Sequence, residues 1–235
     1  MKYYQPRAVM RSFIRGMTLF FVALLLASCA STYEIDSSLR ESIQWYTGET
    51  GQVSDVQAKT LLEKAVSTQD PLAVMWLARV HSTGRMGYPA DKEKAQDIAA
   101  TVIAQVERLA QQEVPEANFL MGTAYAEGLG KSEDPEEAVR WYRRAAALGN
   151  VLAQHNLGNV YASGTGVEQS DELAVQWWLQ AATQGDAIPQ YRLGLMYEEG
   201  KGVTKNLEEA RRWYQESANR GNAQAQAALI RMSRQ

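Results

Sequence analysis

The segment Gly130-Lys131-Ser132 has the residue types that end the phosphate-binding loop of nucleotide hydrolases. That loop requires G-x-x-x-x-G-K-[ST], because glycine-rich backbone N–H groups surround the phosphates while the lysine reaches the terminal ones. Here Tyr125 stands where the first glycine belongs, and the preceding residues predict a helix instead of the strand that leads into such a loop. The same Gly-x-Gly recurs 36 and 72 residues later, in ASGTGVE (162–168) and EEGKGVT (198–204). The segment is therefore a repeated turn.

Side chains for other catalytic or metal chemistry are scarce. The chain has two histidines, His81 and His155, and one cysteine, Cys29, from which a metal site is hard to assemble. No H-E-x-x-H, G-x-S-x-G or S-x-x-K motif occurs. Both histidines align with aromatic positions of the repeat described below, so we interpret them as packing residues. We predict no catalytic residue, no metal and no cofactor.

An internal repeat of 36 residues determines which elements could position a site. Residues 115–150, 151–186 and 187–222 align without a gap, and the residue type is the same in all three units at the eight columns named next. In the first unit these columns are Gly122, Tyr125, Gly128, Gly130, Ala138, Trp141, Ala146 and Gly149.

Each unit predicts two helices joined at the Gly-x-Gly. The second helix follows a residue whose side-chain oxygen can accept bonds from first-turn N–H groups, namely Asp134, Ser170 or Asn206. It ends at a glycine suited to a left-handed C-terminal residue, namely Gly149, Gly185 or Gly221. A glycine also lies inside each first helix, at 122, 158 and 194, and costs about 1 kcal/mol relative to alanine. We expect two helices to approach closely there.

These units resemble Sel-one-like repeats (SLR), a branch of the tetratricopeptide-like solenoids, with the pattern A-x-x-x-L-G-x-x-Y-x-x-G-x-G-V and then A-x-x-W-Y-x-x-A-A-x-x-G. The resemblance covers residues 115–222 and departs from the pattern at Lys131 and Pro189. It implies an all-α fold, a helical-hairpin solenoid. Upstream we expect divergent hairpins over 37–114, including a long helix from Asp91 to about Gln112. Residues 223–235 repeat only a first helix and are expected to form a C-terminal capping helix.

Residues 1–28 predict a bacterial lipoprotein signal peptide. Four basic side chains precede an apolar run at 17–27, which is shorter than the roughly 20 residues of a membrane-spanning helix. Leu26-Ala27-Ser28-Cys29 resembles a lipobox, in which the cysteine receives lipid and becomes the first mature residue. Because no aspartate follows Cys29, the resemblance implies an outer-membrane lipoprotein facing the periplasm, with 29–36 as a tether. A plain signal peptide with a chance cysteine at its cleavage site is the alternative.

The charge balance argues against nucleic acid as a partner. The predicted signal peptide carries four basic and no acidic side chains, so its removal changes the formal net charge from −3 to −7. Nucleic-acid affinity depends on neutralising phosphates with lysine and arginine, which an acidic exported protein does poorly.

Two faces of each first helix are predicted to pack between neighbouring hairpins. The positions that remain accessible to a partner form one row, at i, i+4, i+7 and i+11. Stacked in a solenoid, these rows would form a strip of mixed polarity on the concave surface, where solenoids bind partners. A strip that is merely solvated is the alternative. The predicted partner-binding residues are Glu127, Asn156, Asn159, Ser163, Arg192, Leu195 and Glu199. The same row also contains Glu116, Leu120, Thr123, Leu152 and Ile188.

The leading hypothesis is a non-enzymatic scaffold that binds an envelope protein or peptide, and the SLR resemblance implies assembly of secretion, pilus, exopolysaccharide-export or cell-wall machinery. The first alternative is a module that binds glycan, peptidoglycan or exopolysaccharide, by stacking on Trp45, Trp76 and Trp178. Trp141, Trp177 and Trp213 share one repeat column and are expected in the core. The second alternative is an enzyme acting on peptidoglycan or β-lactams, which the cysteine-rich members of the repeat family suggest. The repeats of those members are cross-linked by disulfides, which this chain cannot form within itself because it has one cysteine.

Overall fold

The computed structural model describes residues 33–234, and over that range it contains eleven α-helices and no β-strand. The helices are α1 (Ser37–Thr47), α2 (Asp55–Ser67), α3 (Pro71–Thr83), α4 (Lys92–Gln111), α5 (Pro115–Glu127), α6 (Pro135–Ala147), α7 (Val151–Ser163), α8 (Asp171–Thr183), α9 (Ala187–Glu199), α10 (Leu207–Asn219) and α11 (Ala223–Met232).

Consecutive helices pair into five hairpins, α1–α2, α3–α4, α5–α6, α7–α8 and α9–α10, and α11 packs on α10. From α3 onward the second helix of each hairpin also packs against the first helix of the next. The predicted all-α solenoid of helical hairpins is therefore confirmed. We call α3, α5, α7 and α9 the first helices of their hairpins.

The predicted helix ends are present, and each has a specific hydrogen bond. Asp134 and Ser170 accept from the N–H groups of Glu137 and Leu173, at 2.9 and 3.2 Å. The backbone N–H of Asp134 also donates to the Tyr125 carbonyl at 2.9 Å, and the two later hairpins repeat this bond across their Gly-x-Gly turns. The repeated glycines thus close a turn, which is the structural role of the Gly130-Lys131-Ser132 segment.

The glycines inside the first helices admit an aromatic ring from the paired second helix. A Cβ built on Gly122 would lie 2.5 Å from the Tyr142 ring, and Trp178 and Tyr214 occupy the same place over Gly158 and Gly194. Real Cβ atoms do not approach rings so closely, so the predicted close approach is confirmed. The repeat column predicts Trp177 in the core and leaves Trp178 unassigned, but in the structure Trp178 is buried and Trp177 is half-buried.

Two further helices match their sequence signals. Asp91 accepts from the Lys94 N–H and begins the long α4, as predicted. Helix α11 buries Ala225, Ala228 and Met232 against α10. In α11 the position of the internal glycine is taken by Ile230, which is 55% exposed, so no ring can pack there as one does over Gly122.

The predicted signal peptide, its lipidation site Cys29 and most of the tether lie outside the described residues. Among the helices that are described, none combines the length and the apolar character required to cross a bilayer.

Candidate partner-binding surface

The first-helix row divides into two parts that differ in exposure. On α5 its members Glu116, Leu120 and Thr123 are 4%, 0% and 0% exposed, so the expected continuous strip is interrupted there. On α7 and α9 the row is accessible except at Leu152, which is 4% exposed: Ser163, Arg192 and Glu199 are exposed, Ile188 is 40% exposed, and Asn156, Asn159 and Leu195 are half-buried. We call these seven residues the open part. The covered part consists of Trp76 and Arg79 on α3 with Glu116, Leu120 and Thr123 on α5, all of them buried.

Helix α1 packs against the covered part through Tyr46. The ring centroids of Tyr46 and Trp76 lie 6.1 Å apart with the planes at 73°, an edge-to-face contact. Arg85 donates to the Tyr46 hydroxyl oxygen at 3.2 Å, and the Arg79 guanidinium lies 5.8 Å from the Tyr46 ring. The first hairpin therefore contributes an aromatic side chain to this surface.

The loop that joins α1 to α2 crosses to the far end of the solenoid. Arg220 Nη1 donates to the Gly48 carbonyl at 2.8 Å, a contact between residues 172 positions apart in the chain. The Val53 N–H donates to the Arg220 carbonyl at 3.0 Å. A Cβ built on Gly48 would lie 3.6 Å from the Ala187 Cβ, so this loop also touches the start of α9.

A cavity of about 270 Å³ lies between α1 and the first turns of α5 and α7. Its polar wall includes Arg40, Gln44, Glu49, Glu116 and Asn150. Burial raises the pKa of the Glu49 carboxyl, and the nearby Asp186 carboxylate adds to this, while a hydrogen bond from Thr47 and the charge of Arg220 oppose it. The contact between the first hairpin and the repeats thus brings carboxylates together.

Glu116 is the most deeply buried of these carboxylates. Its Oε1 accepts from Trp76 Nε1 at 2.5 Å and its Oε2 accepts from Asn150 Nδ2 at 2.8 Å. Burial raises the pKa of Glu116 to about 7, against the lowering effect of the two donors and of Arg79. Near neutral pH, a large fraction of this side chain is therefore uncharged.

Arg79 is only 2% exposed and lies among aromatic rings. Its guanidinium carbon is 4.5 Å from the Trp76 ring and 5.2 Å from the Phe119 ring. These cation–π contacts stabilise the charge, but Nε and Nη1 are buried and have no hydrogen-bond acceptor. Each buried donor without a partner costs about 1–3 kcal/mol, so this arginine is incompletely satisfied.

Several predicted residues of the row also have structural partners. Asn159 Oδ1 accepts from Trp178 Nε1 at 3.3 Å, Ser163 pairs with Thr165, and Glu199 pairs with Lys201 at 2.6 Å. Glu127 is half-buried, and its Oε2 is buried without a partner. Within residues 33–234, Arg192 has neither a hydrogen bond nor an ion pair, which makes it the least committed cation of the row.

The two histidines differ from each other more than the sequence indicated. His81 is buried against Tyr88, with ring centroids 4.9 Å apart, which fits a packing residue. His155 instead contacts Asp186 through Nδ1 at 2.8 Å, so its role is polar and joins α7 to the residue that caps α9. Over the described range, no group of three or more histidine, cysteine or carboxylate side chains is placed to hold a metal ion.

Neither the Gly-Lys-Ser segment nor the tryptophans form a ligand site. Lys131 Nζ donates to Glu107 at 2.9 Å, so the lysine is paired and the segment lies beside a carboxylate. Of the tryptophans considered for stacking on glycans, Trp76 and Trp178 are buried and Trp45 is half-buried. Residues 33–234 therefore present no platform of exposed indole rings.

The family model for the Sel1 repeat matches residues 71–97, 115–150, 151–186 and 190–222, which together make up more than half of the chain. The chain therefore belongs to the Sel1 repeat family. Two of the matched segments have the same bounds as the first two 36-residue units of the sequence. The α1–α2 hairpin lies before the first matched segment, and its docking onto the last repeat follows no repeat pattern.

Two solved structures are similar to this Sel1 repeat protein, each with a TM-score of 0.55. A Sel1 repeat protein from Oxalobacter formigenes is 31% identical, with 76% of this chain covered. The protein c5321, a protective antigen present in uropathogenic Escherichia coli strains and displaying an SLR fold, is 27% identical, with 87% of this chain covered. The chain spans about half the length of either protein. No curated protein sequence matches it.

Sel1 repeat proteins are in general non-enzymatic scaffolds that bind protein partners, and this chain has the fold of such a scaffold. The geometry agrees with that role, because its accessible polar and apolar side chains are presented on successive, closely packed first helices.

Proposed function

We propose that this protein is an outer-membrane lipoprotein that faces the periplasm and holds an envelope protein or peptide on the open part of its first-helix row. The observation that carries the proposal is the composition of α9, where the unpaired Arg192 lies between the exposed Ile188 and the half-buried Leu195. A cation without a partner beside accessible apolar side chains can provide both charge and apolar area to a ligand.

The partner chemistry follows from these side chains. An apolar residue of the partner would pack on Ile188 and Leu195, and an acidic residue would pair with Arg192. Asn156 would contribute hydrogen bonds from α7. Because these residues lie on helices and not on loops, their backbone loses little conformational freedom on binding, which favours affinity.

The anchor is proposed from the sequence Leu26-Ala27-Ser28-Cys29 together with the apolar run before it. Metabolic labelling with a palmitate analogue tests it directly. We expect label on the native protein, recovery in the outer-membrane fraction, and loss of both in Cys29→Ser. A native protein that is exported but carries no lipid would overturn the anchor and leave the binding surface untouched.

Crosslinking in intact cells, followed by purification of the tagged protein, tests the binding surface. The variant is Arg192→Glu combined with Leu195→Ala, and the matched control is Arg211→Glu, which makes the same charge change at an exposed residue of the second helix α10. We expect one envelope protein to be recovered with the native chain and the control and lost with the variant. Equal recovery with all three would exclude the open part as the site.

A further inference from the structure

The covered part of the row is a second candidate binding surface. Tyr46 of α1 occupies it but leaves two nitrogen atoms of Arg79 without hydrogen-bond acceptors. Tyr46 supplies the aromatic contact to Trp76, but no acceptor on any described element reaches Arg79 Nε or Nη1. Glu116 does not supply the missing acceptor, because one of its oxygens accepts from Trp76 and the other from Asn150. A buried guanidinium therefore faces an occupant that lacks the complementary charge.

We propose that the covered part binds a helical protein segment that carries an aromatic side chain and a carboxylate, and that this segment replaces Tyr46 of α1. The aromatic side chain would take the place of Tyr46 on Trp76, and the carboxylate would accept from Arg79. The inference rests on the proposed function, since it adds a second contact for the protein partner of a scaffold.

Charge complementarity favours this ligand over a purely apolar one. A charge-assisted bond between arginine and a carboxylate is shorter and about twice as strong as a neutral hydrogen bond. It also removes the cost of leaving a buried donor without a partner. A hydrophobic segment would reproduce the Tyr46 contact but would leave Arg79 Nε and Nη1 without acceptors, as they are in the free chain.

The first hairpin has internal packing of its own, and α2 also contacts α3. Its two helices hold each other through buried Leu39, Ala58 and Leu62 and through the Ser42 hydroxyl, which donates to the Ala58 carbonyl at 2.6 Å. Its loop is joined to the last repeat by the hydrogen bonds of Arg220. Separation of the hairpin from the covered part would therefore leave its internal packing intact.

A reversible disulfide between the first hairpin and α9 tests whether the covered part must be exposed before it binds a ligand. The Gly48→Cys and Ala187→Cys substitutions place two Cβ atoms about as far apart as the 3.6 Å between the present positions, within the range of a disulfide. Gly48 has φ +88°, so the cysteine there is strained, and circular dichroism must first show native helicity in both redox forms. The pair is introduced into full-length Cys29→Ser protein in detergent, which has no other cysteine.

The probe is a phage-displayed library of 16-residue peptides, selected on the reduced protein, and each selected peptide is then measured against both the reduced and the oxidised protein. We expect selected peptides with an acidic residue one helical turn from an aromatic one. They should bind the reduced form at least tenfold more tightly than the oxidised form. Their affinity for the reduced form should fall at least tenfold in the Arg79→Gln variant, while the Arg79→Lys variant should retain part of that affinity. Peptides that bind both redox forms equally, that ignore Arg79→Gln, or that lack a carboxylate would overturn the proposal, as would failure to select any.

The outcome separates this inference from the proposed function. Peptides that bind both redox forms and are lost with Arg192→Glu would sustain the open part as a binding surface while removing the covered part. Peptides that require the reduced form and Arg79 but ignore Arg192→Glu would do the reverse.

Discussion

The covered and open parts of the first-helix row occupy equivalent positions of the repeat yet carry different side chains. Trp76 on α3 aligns with Leu120, Asn156 and Arg192, and the series passes from fully buried to exposed. Arg79 aligns with Thr123, Asn159 and Leu195 in the same way. The repeat pattern therefore determines where a side chain projects, and its neighbours determine whether it is buried, as Trp76 is, or exposed, as Arg192 is.

The difference has an energetic consequence. In the covered part Trp76 and Arg79 contact Tyr46 of α1, and Glu116 lines the cavity, so changing one of these residues removes packing and leaves polar groups without partners. The exposed side chains of the open part, such as Arg192 and Glu199, are already solvated, and changing them alters little in the free protein. The two parts should respond oppositely when stability and partner binding are measured on the same variants.

The largest effect is expected from Trp76→Ala. The change removes a fully buried indole that contacts Tyr46 and Phe119 and donates to Glu116, so it should lower the free energy of unfolding by about 3–5 kcal/mol. Urea unfolding followed by circular dichroism measures it. Arg192→Ala, at the equivalent position of α9, should stay within about 0.5 kcal/mol of the native protein. Similar losses for the two variants would remove the distinction between the parts.

The second effect is a pH dependence that only the covered part should show. Because burial raises the pKa of Glu116 to about 7, the folded state binds a proton more tightly than the unfolded state does. Stability should therefore decrease as the pH rises from 5 to 8, by roughly 2 kcal/mol for this group. Glu116→Gln should flatten that part of the profile. Glu199→Gln, on the exposed end of the row, should leave the profile unchanged, and a native profile that is flat or rises with pH would contradict the assignment.

A third effect concerns the bond that closes the first hairpin onto the last repeat. Arg220→Ala removes the hydrogen bond to the Gly48 carbonyl, worth about 1–2 kcal/mol for a charged donor. Hydrogen exchange should accelerate about tenfold in α1 and α2 and remain unchanged in α7 and α8, since repeat proteins open locally. The control is Arg212→Ala, which breaks an exposed pair with Glu209 and a contact with the Trp213 ring, both within α10. Uniform acceleration along the chain would mean that the first hairpin does not open separately.

Most of the repeat could be predicted from the sequence, because the information for it is local. A capping side chain such as Asp134, a left-handed glycine such as Gly149 and a glycine under a ring such as Gly122 each act within one hairpin. Each of these three signals recurs in all three aligned units, which strengthens the prediction. The choice of Trp178 over Trp177 as the ring above Gly158 could have been found from the column that contains Tyr142 and Tyr214.

The division of the row could not be predicted in the same way. It depends on how α1–α2 docks, and the contact that fixes the loop joins Gly48 to Arg220, which are 172 residues apart. Neither residue carries a local signal for the other. The burial of Arg79 and Glu116 likewise results from side chains on separate hairpins, so the alternation of polar and apolar residues along one helix gave no indication of it.

The smallest effect is expected where α11 meets the open part. Arg231 on α11 donates to Glu198 on α9 at 2.5 Å, and Glu198 also accepts from the Tyr214 hydroxyl at 2.6 Å. The side chain of Arg231 is 52% exposed, so solvent screens the pair, and Arg231→Ala should lower the free energy of unfolding by at most about 0.5 kcal/mol at low salt. In 0.5 M NaCl the difference from the native protein should vanish. Arg234→Ala, a charge change of equal sign in the residues after α11, controls for net charge. A loss above about 1.5 kcal/mol that persists in salt would show that α11 stabilises this end of the row as α1 stabilises the other, and the open part would then be a surface closed at both ends.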